Sequence, residues 1–397
     1  MVGGTTLTPA AAATDEAFRA ELRAWLAAHP PPAPAAGAVT VERLRAWQRE
    51  LHAGGWVGVH WPVEHGGRGA SPAQVAAYHE ELARAGAPPL LGRVGVTLVG
   101  PTLIAHGSAE QRARWLGRIL AADDVWCQLF SEPGAGSDLA SITTRAVREG
   151  DTYRVSGQKV WSSYATFADL GIALVRTGLA ATGDDRGAGH RGISMLAIPM
   201  RARGVEVRPL RQMTGEHEFD EVFLDDVEVP ADHLIGPEGD GWRVAGTTLA
   251  NERGASFIWR EQVRQHDAVC RLARECARRG GTADPSARQR IAQAWIDAEI
   301  LRLHNARTLA RLARGEPLGA ETSLVKLFWA ETSRRLHETA CAVLGPQALL
   351  LGDDAPGGGR WARDLLATRA NSIMGGTSEI QRNILGERVL GLPREPR

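Results

Sequence analysis

The sequence predicts an α+β chain: an N-terminal helical domain over 1–123, a middle antiparallel β domain over 124–236 and a C-terminal helical bundle domain over 237–397. Three observations carry this. Apolar residues recur at helical spacing as far as about residue 120. From about 124 to 236 they alternate, with Gly or Pro between the runs. From Gly241 the helical spacing returns for the remainder. At 397 residues the chain exceeds one ordinary core, so more than one packed unit is expected.

In chain order, Thr14-Asp15 can cap a helix over 15–28, which the Pro-rich stretch 30–34 ends. A second helix runs from Thr40 or Val41 to His52 and stops at Gly54-Gly55. The loop GGWVGVHWPVEHGGRG (54–69) is irregular and aromatic. Ser71 starts a helix over 72–85 and Ser108 another over 109–119. Alternation marks strands in TYRVSGQKVWSS (152–163), ISMLAIPM (193–200), VEVRPL (205–210) and FDEVFLDDVEVP (219–230). The C-terminal helices break at 280–286, 314–320 and 352–359. In IMGGTSEIQRN (373–383), Ser378 and Gln381 have capping-box spacing, so a last helix starts there and Gly391 with Pro393 ends it. A Gly-Gly turn leading into free helical N–H groups suits a phosphate or other anion, and equally a plain turn.

Lys+Arg and Asp+Glu both total 46, a balance that argues against nucleic-acid or anionic-membrane binding. Cys127, Cys270, Cys276 and Cys341 show neither CxxC nor metal-site spacing and read as reduced thiols of a cytoplasmic protein; no metal is expected. No signal-peptide pattern opens the chain, and no apolar run reaches about 18 residues, so no membrane insertion is expected. Twelve Trp against three Tyr is unusual; flat rings pack cores or wall a flat ligand.

SEPGAGSD (131–138) alone is a Gly-rich turn that fits neither the dinucleotide fingerprint nor the P-loop. With WCQLFSEPGAGSDLASITTRA (126–146), GQKVWSS (157–163), FDEVFLDDVEVPADHLIG (219–236), LANER (249–253), and Arg363-Asp364 with GTSEIQRNILGERVLG (376–391), the chain resembles the acyl-CoA dehydrogenase family from about residue 14 to 395. The resemblance implies that the C-terminal domain is a four-helix bundle, with FAD between the β domain and these helices, partly against a neighbouring subunit. It implies α,β-dehydrogenation of an acyl thioester, CoA- or carrier-protein-bound: a base removes the α proton, the β hydride goes to flavin N5, and electrons leave to an electron-transfer flavoprotein-type acceptor. Such chemistry needs donors for the enolate oxygen and a carboxylate in a dry pocket.

By motif match, Ser131 and Ser163 would contact the flavin ring, with Gln128, Leu129, Phe130 and Ser162 in the same constellation. Ser137 would reach the flavin phosphate or the pantetheine. Trp161 matches the aromatic that packs on the ring, the alternative being a core Trp of a strand. Thr377 and Glu379 match the residues at the ribityl–pyrophosphate portion, and Arg363-Asp364 reads as a structural ion pair.

Much of the family carries its catalytic glutamate just before Gly-Thr-Ser; here that residue is Gly375. Gly375 keeps an N–H for the thioester carbonyl, next to Gly376 on the substrate side, but it cannot take a proton. Some members carry the base on the first long C-terminal-domain helix, and the matching residue is Glu252, beside the substrate-contacting match Arg253. Glu252 follows Leu249 by three, near the face bearing Trp242 and Ala245. Two departures touch the adenine half of FAD: RRGGTADPSARQR (278–290) lacks the family's Phe, and AVLGPQ (342–347) lacks its Gln and second Gly. These fit a homodimer or homotetramer with altered contacts, or a hetero-oligomer with a paralogue. Two other functions compete: a flavin oxidase or monooxygenase on the same fold, and a non-catalytic subunit.

Overall fold

A computed structural model of the chain describes residues 9–32, 40–178, 189–252, 255–281, 284–316, 318–352, 354–355 and 357–394. They form two compact units, one drawn from Ala38–Ala70 and Pro88–Glu252, the other from Met1–Gly37, Ser71–Ala87 and Arg253–Arg397. The boundaries 1–123, 124–236 and 237–397 follow pattern, whereas packing groups segments distant in sequence.

The first unit holds the sheet: β1 (Trp126–Leu129), β2 (Arg145–Glu149), β3 (Thr152–Ser163), β4 (Leu170–Arg176), β5 (Ile193–Pro199), β6 (Val205–Leu210) and β7 (Phe219–Pro230). Their order is β1-β4-β2-β3-β7-β6, with β5 also on β4. Pairing is mostly antiparallel, but β1 and β2 run parallel to β4. β4, LGIALVR, is buried along its whole length, so it shows no alternation and the period-two search passes over it. One core, including Tyr153, Val155, Leu196, Val222 and Val227, lies under these strands.

Four helices share this unit: α2 (Val41–Ala53), α4 (Gly100–His106), α5 (Ala109–Leu120) and α6 (Gly241–Glu252). Thr40 caps α2, and Ser108 with Gln111 forms a full capping box on α5. α4 lies where the sequence shows only breakers. A π turn, Gly95–Val99, precedes it, with the Gly100 N–H reaching Gly95 O. Pro101 explains the widening: its ring crowds the carbonyl four residues back, and it has no N–H to give. The Val96 carbonyl, five residues before Pro101, instead accepts from Trp61 Nε1 at 3.0 Å. Gly100 is required, because a Cβ there would lie 1.9 Å from the Trp61 indole.

The second unit is helical. α1 (Pro9–Ala28) begins at Pro9 instead of residue 15, because the Ala-rich segment behind that proline propagates helix well. α3 (Pro72–Arg84) starts in a Ser71–Gln74 capping box. Buried Glu81 of α3 accepts from Arg23 Nε at 2.8 Å and Arg19 Nη1 at 2.5 Å, tying α1 to α3. α3 packs on α7 (Ala255–Arg278), which with α8 (Pro285–Ala313), α9 (Thr322–Leu344) and α10 (Arg360–Asn371) completes the bundle. Its cores contain Trp259, Leu301 and Trp329, and Val269, Leu272, Leu336 and Trp361. Arg363 and Asp364 pair at 3.3 Å. No helix among the described residues is long and apolar enough to cross a membrane.

Candidate active site

One group of expected residues lies in the sheet unit. Gln128 and Leu129 end β1, and Phe130 to Ser137 form the loop that follows. Ser131 accepts from the Val160 N–H at 3.0 Å, so this loop runs beside β3. Glu132 and Ala135 exchange backbone hydrogen bonds, which tightens the turn and leaves Gly134, Gly136 and Ser137 exposed.

Two buried charges fix the loop from below. Glu132 accepts from Thr143 N (2.7 Å), Thr143 Oγ1 (2.8 Å), Thr144 N (2.9 Å) and Lys159 Nζ (2.8 Å). Lys159 uses its other protons on the Leu174 and Phe130 carbonyls, at 2.7 and 3.2 Å. Burial opposes both charges. For Glu132 the ammonium and the surrounding donors prevail and hold the carboxyl at about 2. For Lys159 burial prevails, partly offset by Glu132, and the ammonium falls to about 8. The pair is therefore ionic at neutral pH. Arg176 pins the far end of the loop through the Ile142, Ala140 and Arg191 carbonyls.

Trp161 is 60% exposed, which removes the core-packing reading. It sits in a β3 bulge between Lys159 and Ser162 with φ +61, a region that costs a bulky residue about 1–3 kcal/mol. The bulge turns the indole outward, edge-on to Phe219 at 6.1 Å. Ser162 beside it is fully buried, and its hydroxyl has no hydrogen-bond partner among the described residues. Ser163 pairs with Phe219 and is half-buried. Asp220 accepts from Thr166 N and Oγ1 at 3.0 and 2.8 Å, holding the turn after the bulge. An open indole face with an orphan hydroxyl behind it fits a flat, polar-edged cofactor.

Glu252 is the last residue of α6; its side chain, and Arg253 entirely, lie outside the described residues. The buried stripe of α6 runs through Gly241, Val244, Ala245 and Thr248, whereas Trp242 and Leu249 are half-buried. The inward line thus passes through Thr248, with position 252 one turn further on. Thr248 and Thr102 of α4 meet hydroxyl to hydroxyl at 2.9 Å, and His106 Nε2 lies 2.7 Å from Thr247 Oγ1. Burial and Arg243 lower the His106 pKa, so at neutral pH Nδ1 accepts from Arg243 (3.3 Å) and Nε2 donates to Thr247.

Gly375, Gly376, Thr377 and Glu379 lie in the helical unit, at the start of α11 (Ser378–Ile384). The capping differs from expectation. Thr377, not Ser378, is the N-cap, its hydroxyl accepting from the Ile380 N–H at 3.2 Å. Gln381 is therefore one residue too far along for a capping box. It turns back instead, donating from Nε2 to Gly375 O (3.0 Å) and Gly376 O (3.3 Å). Lys326 of α9, also buried, donates from Nζ to Gly376 O (2.7 Å) and Asn371 O (2.9 Å). Gly375 and Gly376 have φ +63 and +88, so both need glycine. Glu379 is exposed. The helix continues through a π turn, Leu385–Val389, and Gly391 ends it at φ +70.

Sequence reasoning missed Glu132, Lys159, Arg176 and Lys326, and it read Gln381 only as a capping residue. Only Lys159 left a signal: it shares strand parity with buried Tyr153 and Val155, so a charge stands on an inward line.

Residues 12–123, 127–227 and 239–390 match the models of the N-terminal, middle and C-terminal domains of acyl-CoA dehydrogenase. The chain is 42% identical over 391 residues to the acyl-CoA dehydrogenase IpdE1 of Mycobacterium tuberculosis, covering 96% of this chain and 98% of that protein. Among solved structures, the Tcur3481-Tcur3483 steroid ACAD matches with a TM-score of 0.86 at 30% identity, over 98% of this chain and 99% of that one. The ChsE4-ChsE5 complex from Mycobacterium tuberculosis matches at 0.84 and 31%, over 99% of this chain and 100% of that one.

Proposed function

The chain belongs to the acyl-CoA dehydrogenase family, a family of FAD-dependent oxidoreductases, and on that premise we propose that it dehydrogenates an acyl thioester with Glu252 as the α-proton base. The observation that carries the assignment of the base is the glycine at 375: the position has no carboxylate, and its φ of +63 disfavours any residue that could bring one. Glu252 closes a helix that Thr102 and His106 hold by hydroxyl and imidazole contacts. That anchoring suits a base that must meet one proton in one geometry. Arg253 follows as a contact to the acyl-CoA, and the Gly375 and Gly376 N–H groups serve the thioester carbonyl.

FAD, when bound, supplies the acceptor for the β hydride. The chain would hold its ring with Trp161, Ser131, Ser162 and Ser163, flanked by Gln128, Leu129 and Phe130. Ser137 would serve the flavin phosphate or the pantetheine, and Thr377 with Glu379 the ribityl–pyrophosphate portion. The match to a protein described as a steroid ACAD supports an acyl chain borne on a steroid-type ring system as substrate class. One matched structure is described as a complex, ChsE4-ChsE5, and another carries the paired name Tcur3481-Tcur3483. With the departures at 278–290 and 342–347, this supports a paired family chain holding the adenine half of FAD.

The test is anaerobic. The purified protein, alone or with a co-expressed family partner, is expected to be yellow and to bleach on addition of acyl-CoA thioesters. It should regain colour with an electron-transfer flavoprotein-type acceptor faster than with air. Rapid air reoxidation that releases peroxide would support the oxidase reading. A folded, colourless protein that takes up no FAD under either condition would overturn the proposal.

Trp161 gives a second expected result. Trp161→Gly relieves a left-handed residue, so the unfolding midpoint of the flavin-free protein should hold or rise. FAD affinity should fall roughly tenfold as the stacking face is lost. Unchanged affinity would remove Trp161 from the cofactor's surroundings.

A further inference from the structure

The carbonyls of the Gly375–Gly376 turn are held by two buried side chains. Gln381 Nε2 grips both carbonyls, and Lys326 Nζ grips that of Gly376 while also reaching Asn371 O at the end of α10. Lys326 is 7% exposed and Gln381 is fully buried. In a trans peptide the N–H points opposite to the C=O. Clamping the Gly375 carbonyl inward therefore turns the Gly376 N–H outward, away from the two side chains. Among the described residues nothing accepts from the N–H groups of Gly375 or Gly376. Two consecutive left-handed glycines have many other conformations open to them, and the clamp removes that freedom.

We propose that Lys326 is a positioning residue for the dehydrogenation: holding the Gly376 carbonyl, it locks the turn so that its N–H groups stay aimed as donors to the thioester carbonyl. This rests on the reading of Gly375 and Gly376 given above. Lys326 never touches the substrate. It acts by holding the Gly376–Thr377 peptide, so that Gly376, anchored by Lys326 on one peptide and by Gln381 on the other, keeps its N–H in one direction. Gln381 supports the same peptides without charge.

The readout is the carbonyl stretch of a bound enoyl thioester, measured by isotope-edited infrared difference spectroscopy on the flavin-loaded protein. The probe is the 2-enoyl-CoA, 13C-labelled at its carbonyl, that gives wild type its largest flavin spectral change. In wild type the stretch should move to lower frequency on binding, because the aimed donors polarise the bond. In Lys326→Met about half or more of that movement should vanish while thioester affinity changes less than about threefold. Flavin reduction in one turnover should slow by about 10- to 100-fold, less than the roughly 10²–10³ for deleting a direct oxyanion donor.

Gly376→Ala disturbs the same turn with Lys326 intact, because a Cβ there would meet Gln381 Nε2 at 2.6 Å. It should reproduce the infrared signature, and it decides the matter if Lys326→Met does not fold. A full wild-type shift in Lys326→Met, or in Gly376→Ala when that is the variant obtained, overturns the proposal. The infrared shift does not depend on proton removal. A failure of Glu252 as base would leave it in place, so the two readings fail separately.

Discussion

Glu252→Gln is expected to slow the reduction of bound flavin by a good acyl thioester by about 10⁴-fold or more. The substitution keeps size and hydrogen bonding and removes only basicity. A positioned general base is worth roughly 10²–10⁴, and the loss should reach or pass the upper end because a site closed to water offers no substitute base. Substrate binding should persist, since the Gly375 and Gly376 N–H groups are untouched. Anaerobic stopped-flow on the single mutant decides the point. Reduction near the wild-type rate would mean that another group takes the proton. Returning a carboxylate with Gly375→Glu is not expected to rescue well, because that residue would have to adopt φ +63.

The largest expected loss of stability comes from Lys159→Met. It leaves the Glu132 carboxylate buried without its cation, a change that costs about 3–5 kcal/mol in comparable buried pairs. Urea unfolding of wild type and variant at neutral pH measures it. The pH dependence separates this cause from lost packing. The Glu132 carboxyl is held at about 2, below its ordinary 4.5. A depressed folded-state value contributes stability that is present above about 4.5 and is lost as pH falls through about 2. Without the ammonium, burial pushes the carboxyl up, so protonation relieves the variant while it destabilises wild type. The gap should narrow on acidification. A gap that is constant between neutral pH and about pH 3 would assign the loss to packing. Glu132→Gln with Lys159→Met should recover part of the stability, because neither charge then remains buried alone.

What the sequence disclosed followed from how local each signal was. Ser71 and Ser108 start α3 and α5 as expected, because a capping box is written within four residues. The four long alternating runs became β3, β5, β6 and β7 for the same reason. β4 stayed hidden because burial on both faces erases the period. α4 stayed hidden because its Gly100 and Pro101 read as breakers until Trp61, far away in the chain, supplies the missing donor. The candidate residues 128–137 and 161–163 were legible through resemblance. The charges under them were not, since Glu132 meets Lys159, and Arg176 meets the Ile142 carbonyl, only once the strands and the loop are assembled. Lys326 and Gln381 converge on the glycines from 50 and 5 residues away, and no spacing rule links them.

The grouping of distant segments into one unit has a consequence for synthesis on the ribosome. α1 and α3 leave the exit tunnel early, yet the helix that covers α3 ends at Arg278, about 190 residues later. At about 5–20 residues per second the two helices wait roughly 10–40 s with their apolar sides open. The sheet, complete by Pro230, can form during that interval. Nascent chains stalled after β7 has cleared the exit tunnel but before α7 has emerged should therefore expose a protease-resistant sheet together with a cleavable N-terminal arm. Such chains are the ones that holding chaperones would be expected to engage.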